Sequence, residues 1–250
     1  GHPKRSRSGE AVGAYQMSDR LTAALDGFAS WRNDAGKGIA VTLFVISEQL
    51  DDPRFAHRLS GLLSGDPLLT VGCHGMHHRC WSAWPDDEQG FASMLDHTCQ
   101  RLASFAGASW RPWFRAPGGY IAPWMAKPLA DSGITLDSSV NPTPLLARKA
   151  GPGRDWQEVE DALREADVVE RSWRTAAGLP MCGPALRIPV LAQIARGRWR
   201  NSTRQAECAD DATLLDPDRA VVALYWHLLD HARRDGRWAP PLHSSLQRVR

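Results

Sequence analysis

The chain has 250 residues, enough for one large domain with a substantial core, and α/β barrels are common at this size. Thirty basic side chains against 28 acidic ones leave a formal charge of +2, so the overall balance does not call for nucleic acid as a partner. No run is apolar enough to span a bilayer, so no membrane partner is expected. The cysteines are Cys73, Cys80, Cys99, Cys182 and Cys208. An odd count without a compact framework favours a reducing compartment, hence a cytoplasmic location.

Basic residues gather at the ends, at Lys4, Arg5, Arg7, Arg248 and Arg250. Residues 1–10 read as a basic tail or cloning remnant, 11–235 as the domain and 236–250 as a C-terminal tail. Residues 11–17 read as a first strand. Leu21, Ala24, Leu25, Phe28 and Trp31 then recur at helical spacing. An apolar strand follows over 39–46, a helix carrying Phe55, Leu59, Leu62 and Leu63, and a strand over 67–72. Phe91, Met94, Thr98, Leu102 and Phe105 mark a helix over 86–105. A strand leads to Arg115, followed by a helix over 124–132 and a strand over 134–136. Trp156, Val159, Leu163 and Ala166 mark a helix over 155–166, and Val168-Val169 is a strand. A helix is expected over 186–195 despite Pro189, a polar excursion over 196–216, and a last strand over 221–226. Such β-α alternation favours a parallel sheet, open or closed.

The densest chemistry is the run Cys73-His74-Gly75-Met76-His77-His78-Arg79-Cys80, just after an apolar strand. His74 and His78 are four apart. In a helical turn both imidazoles would point the same way and could share a metal ion. A bound metal makes water nucleophilic near neutral pH, which suggests hydrolysis. Three further phrases follow in order: Arg115-Ala116-Pro117-Gly118-Gly119, Asp137-Ser138-Ser139-Val140-Asn141-Pro142, and an apolar run ending at His227.

This ordered set resembles the polysaccharide deacetylase (NodB-like) family, carbohydrate esterase family four, over roughly residues 11–231. The resemblance implies a distorted (β/α) barrel, usually of seven strands, with its site at the carboxyl ends of the strands. It implies one divalent ion, zinc first, held by Asp19, His74 and His78. It makes His227 the general acid, Asp137 the residue that orients it, and Arg115 the brace of the catalytic base. Gly118 would offer a backbone N–H to the oxyanion. The first motif is altered: Asp19 falls at the metal-ligand position, and Ser18 falls where the family has a carboxylate base. A serine is no base at neutral pH without help. Asp19, Glu10 or the substrate could replace it. The implied activity is removal of acetyl, or a similar small acyl, from an amino sugar or related small metabolite. The alternatives are a metal-containing binding module that does not turn its ligand over, or a different metal-assisted reaction on the same scaffold. The expected partner is a small-molecule or carbohydrate substrate.

Each residue also has a purely structural reading. Asp19 could belong to a helix cap, Arg115 to a buried ion pair, His227 to the core and Asp137 to an Asx-turn. Cys73 and Cys80 could hold a structural zinc or a disulfide. His77 either faces away from the His74–His78 side or substitutes for one of them. Eleven tryptophans are many for this length. Trp81, Trp84, Trp110, Trp113 and Trp226 flank the motifs, and Trp81, Trp113 and Trp226 are the candidates to stack a substrate ring. Ordinary core packing would explain them equally well.

Overall fold

In the computed structural model, residues 15–246 are described. The tracts around Lys4, Glu10, Arg248 and Arg250, and most of the expected first strand, lie outside them. Tyr15 to Met17, the described end of that strand, are not in a sheet.

Five strands form one sheet in the order β1 (Val41–Val45), β2 (Leu69–Cys73), β3 (Trp110–Phe114), β4 (Leu136–Asp137) and β5 (Val169–Glu170), every neighbouring pair parallel. Parallel neighbours need crossovers, and helices supply them: α2 (Pro53–Ser64), α3 (Glu88–Ala106), α4 (Ala126–Asp131) and α5 (Trp156–Glu165). All but α4 start where a carboxylate can accept from the free amides of a first turn. Asp52 accepts from the Arg54 N–H, Asp87 from Gly90 and Asp155 from Glu158. Their apolar stripes cover the sheet in one core that includes Leu59, Val71, Phe91, Leu95, Leu102, Phe114, Leu129 and Val159.

Helix α1 (Asp19–Asp34) precedes β1 and buries Leu21, Ala24, Leu25, Phe28 and Trp31. Arg32, near its end, is itself buried. Its Nη1 donates to the carbonyls of Gly36 (2.6 Å) and Ile39 (2.5 Å), and its Nε to Asp66 (2.7 Å). One guanidinium thereby ties α1 to the start of β1 and to the turn before β2.

After β5 the chain makes a two-stranded hairpin, β6 (Thr175–Ala176) and β7 (Leu179–Pro180), then α6 (Pro189–Ser202) and α7 (Asp211–Leu215). Pro189 opens α6 rather than breaking it, because a first-turn residue needs no amide hydrogen. The helix consumes part of the stretch read as a polar excursion. The rest is held by Arg171, which donates to the carbonyls of Leu214, Arg219, Thr213 and Asp216 at 2.6–3.1 Å.

One expectation needs correcting. Among the described residues, 221–226 form no strand: Ala223 alone forms an isolated parallel bridge, to Trp173, and Val222 is half-exposed. Apolar, β-branched composition does not make a strand without a sheet edge to pair with. The stretch after 235, read as a C-terminal tail, packs in part on the domain. Trp238 is buried against His231, and Leu242 and Leu246 pack on the cluster of Phe28, Trp31, Ile39 and Leu69.

Candidate active site

In a parallel sheet all carboxyl ends point to one side, and the motif residues sit there. β2 ends at Cys73. The His74 N–H continues its ladder by donating to the Val45 carbonyl (3.0 Å), and the Arg115 N–H, just past β3, donates to the Cys73 carbonyl (2.9 Å). His74 Nδ1–H donates back to the Arg115 carbonyl at 2.6 Å. This fixes the tautomer and leaves Nε2 as the outward nitrogen. Burial first, then His78, pushes the His74 pKa well below its ordinary value, so the ring is neutral near pH 7.

The expected helical turn at His74–His78 is absent. Gly75 at φ 79° and His78 at φ 58° bend this stretch out of helical geometry. The bent loop nonetheless brings the two rings together, edge to face with centroids 5.0 Å apart. His77 has a partner of its own: its Nδ1–H donates to the buried Glu48 carboxylate at 2.9 Å.

Arg115 is enclosed by rings rather than by acids. Its guanidinium lies 4.5 Å from the Tyr225 centroid, 4.9 Å from Phe44 and 5.3 Å from Trp173. Nη2 donates to Ser138 Oγ (2.8 Å), whereas Nε and Nη1 are buried with no hydrogen-bond partner among the described residues. Gly183 makes room for Tyr225: a Cβ there would fall 2.2 Å from its hydroxyl.

Asp137 ends β4 fully buried, with Oδ2 accepting from the Ser139 N–H (2.9 Å) and Oδ1 from Ser139 Oγ (2.6 Å). This is the Asx-turn arrangement, and no hydrogen bond joins Asp137 to His227. Beside it in register stands Glu170, which sequence reasoning missed. Its position just past the Val168-Val169 pair, at a strand's carboxyl end, was the available signal. Glu170 Oε1 accepts from the Val140 N–H (3.2 Å). Burial, then the Asp137 charge, pushes the Glu170 carboxyl well up, and burial also raises Asp137. Two acids side by side in a dry site hold one proton between them, and Glu170 is the protonated one. Replacing Glu170 by glutamine should therefore leave stability at pH 7 within about 1 kcal/mol of the parent, while Asp137→Asn should cost about 2–3 kcal/mol. Urea unfolding measures both, and equal losses would mean that Glu170 is ionised.

His227 follows the Ala223 bridge and reaches this face from the other side. Its backbone N–H donates to Asp230 (3.2 Å), and its ring stacks edge-on to Tyr225 at 5.8 Å. Burial, then the Arg187 guanidinium, pushes it down to about 4 against the pull of Asp230. His74 and His227 feel each other electrostatically.

Asp19 does not join this group. Ser18 caps α1, its Oγ accepting from the Leu21 N–H (3.2 Å), and Asp19 lies exposed in the first turn within reach of Arg54. A Ser-Asp pair opening an amphipathic run is a helix start, and that is the role both residues take. Among the described residues no group of three or more His, Cys, Asp or Glu side chains is arranged to hold a metal. His74 presents a neutral imidazole anchored through Nδ1, and His78 stands beside it.

The other expected binding residues divide. Gly118 sits at φ 64°, and its carbonyl accepts from Lys149 Nζ at 2.6 Å. Trp81 lines a cavity of about 170 Å³ with Met76, His77, Arg79 and Met94, and the Arg79 guanidinium lies 4.2 Å from its ring centroid. Trp113 is buried in the core. Trp226 donates to His231 Nε2 (2.9 Å) and packs edge-on to Trp31. All five cysteines are free thiols, so Cys73 and Cys80 are not disulfide-bonded.

No helix among the described residues is long and apolar enough to cross a membrane. No protein-family model matches the sequence, and no curated protein matches it. Among solved structures, the chain is similar to a protein of Mycobacterium smegmatis provisionally named a polysaccharide deacetylase, with 17% identity and a TM-score of 0.48. The match covers 87% of this chain and 66% of that one, and it is too distant to transfer an activity or a residue role.

Proposed function

We propose that the chain is an amide hydrolase that removes acetyl, or a similar small acyl, from an amino sugar or related small metabolite, on a distorted (β/α)-barrel scaffold of which the five parallel strands are one wall. The observation that carries the reading is the convergence of His74, His78, Arg115 and His227, three of them from separate segments of the sequence, on the carboxyl-end side of one sheet. His74 and His78 would hold one divalent ion, zinc first, which when bound polarises a carbonyl and acidifies water.

The protein groups divide the remaining work. His227, neutral near pH 7, accepts a proton as water attacks the acyl carbon and returns it to the departing nitrogen. Arg115 keeps a fixed positive charge beneath the site. Arg79, held over the buried Trp81 ring, offers a charge to a ligand in the adjoining cavity. Asp137, with both oxygens held by Ser139, shapes the floor rather than moving protons.

The placement of Asp19 outside the group favours a second reading, a relative that binds its ligand without turning it over. Metal analysis of the purified protein, joined to mass-spectrometric screening of acetylated and formylated amino sugars, separates the two. Hydrolysis with about one bound ion, both lost in His74→Ala, is the expected result. A metal-replete protein that binds but never deacylates these sugars would select the second reading. Unchanged zinc affinity in His74→Ala would remove the histidine pair as the metal's holder.

A further inference from the structure

The overall charge of +2 conceals a strongly uneven distribution. Between Glu170 and Glu207 the chain carries seven arginines and no acidic residue. Helix α6 lies in this stretch. Ala195 and Trp199 form its buried side, against Met181, Leu186 and Trp238. Its opposite side is open, and its first two turns carry exposed apolar residues. Val190 is 74% exposed and Ile194, one turn on, 47%; Ile188, just before the helix, is 53% exposed. Nothing lies within 4 Å of where a Cβ on Gly197 would stand, one further turn along the same line.

Helical geometry sets Arg198 on one flank of this ridge and Arg196 and Arg200 on the other. Arg233 and Arg234, from the segment after His231, crowd the Arg196 side closely enough to be felt there. Among the described residues Arg196, Arg198, Arg200, Arg204 and Arg234 form no ion pair; the nearby buried Asp230 is engaged by Arg187 (2.8 Å) and Arg233 (3.7 Å). An exposed apolar ridge costs free energy in water, and unpaired cations along both flanks repel one another. A surface that is apolar just below a layer of anions relieves both at once.

We propose that the outer face of α6 docks on an anionic lipid surface, with Ile188, Val190 and Ile194 entering the headgroup boundary and Arg196, Arg198 and Arg200 meeting the phosphates. The contact is peripheral and does not cross the bilayer. It is independent of the hydrolase reading.

The test is co-sedimentation of the full chain with phosphatidylcholine vesicles, with and without phosphatidylglycerol. Binding should require the anionic lipid and weaken as salt rises. The triple variant R196Q/R198Q/R200Q should bind about a hundredfold more weakly, from about 1 kcal/mol per charge near such a surface. The double variant Val190→Ser with Ile194→Ser keeps every charge and should lose about tenfold. Every altered position is exposed except the half-buried Arg196, and circular dichroism checks the fold. No binding to anionic vesicles, or equal binding to neutral ones, overturns the proposal. So does a serine variant that binds as the parent does, since attraction would then be charge alone, as for a nucleic acid. Self-association of the chain that the serine variant abolishes would instead assign the ridge to a second copy.

Discussion

Replacing His227 by alanine should lower turnover on an acetylated amino sugar by about a hundred- to ten-thousandfold, the usual contribution of one positioned acid–base group. Metal content should not change, because the anchor that orients His74 is the Arg115 carbonyl, not His227. The loss should shrink for substrates whose leaving group departs without protonation. With burial pushing the His227 pKa down to about 4, the group is a base in the resting site. Activity should therefore rise as pH climbs through that region and should not fall as pH passes 6.5, the ordinary histidine value. Steady-state rates on an acetamide and on an activated ester, each across pH, give both comparisons. A variant retaining parent turnover on the acetamide takes His227 out of the chemistry.

Acid should destabilise the fold through a second histidine that performs no chemistry. His231 is fully buried among Phe28, Trp31, Trp226 and Trp238, with ring centroids at 5.1–6.3 Å. Its Nε2 accepts from the Trp226 indole, which requires the neutral ring. Burial pushes its pKa down to about 4, below the ordinary 6.5. The unfolded chain thus takes up this proton first. Stability is greatest above about pH 6.5 and falls as pH drops toward 4, by about 3 kcal/mol for a shift of this size. Urea midpoints at pH 7 and pH 4.5 should differ less in His231→Phe than in the parent. An identical pH dependence in the two would place the acid sensitivity elsewhere.

Much of the fold is legible in the sequence because amphipathic spacing and apolar runs carry it. The helix carrying Leu21 to Trp31, the one carrying Phe91 to Leu102 and the strands leading to His74 and Arg115 all lie where periodicity puts them. Pro189 misleads only if its place in the helix is ignored, since the first turn tolerates it. The 221–226 run misleads because strand formation depends on a neighbouring strand, and among the described residues this run has only the Ala223 bridge and a Gly183–Tyr225 backbone hydrogen bond.

The site is legible in part. Strand ends point to His74, Arg115, Asp137 and His227, but spacing cannot say what each touches. The His74–His78 approach depends on two positive-φ residues rather than on a helix. The carboxylate nearest His227 in the chain, Asp230, accepts its backbone amide, whereas Asp137 satisfies itself on Ser139. Glu170 could be placed at a strand end from the sequence, but its pairing with Asp137 comes from the register of β4 and β5, which is long-range information. Ser18 and Asp19 show the opposite hazard: a short phrase placed by resemblance turns out to be a helix start.

The four carbonyls gathered by Arg171 give the molecule two levels of cooperativity. The segment from Thr213 to Arg219 buries none of its side chains fully and is gripped by one guanidinium reaching out from the end of β5. Releasing that grip exposes little apolar surface, so this segment can open and reclose while the sheet and its crossover helices stay intact. Its backbone amides would then exchange with solvent, and a protease would find them, on a timescale set by a single side chain rather than by global unfolding.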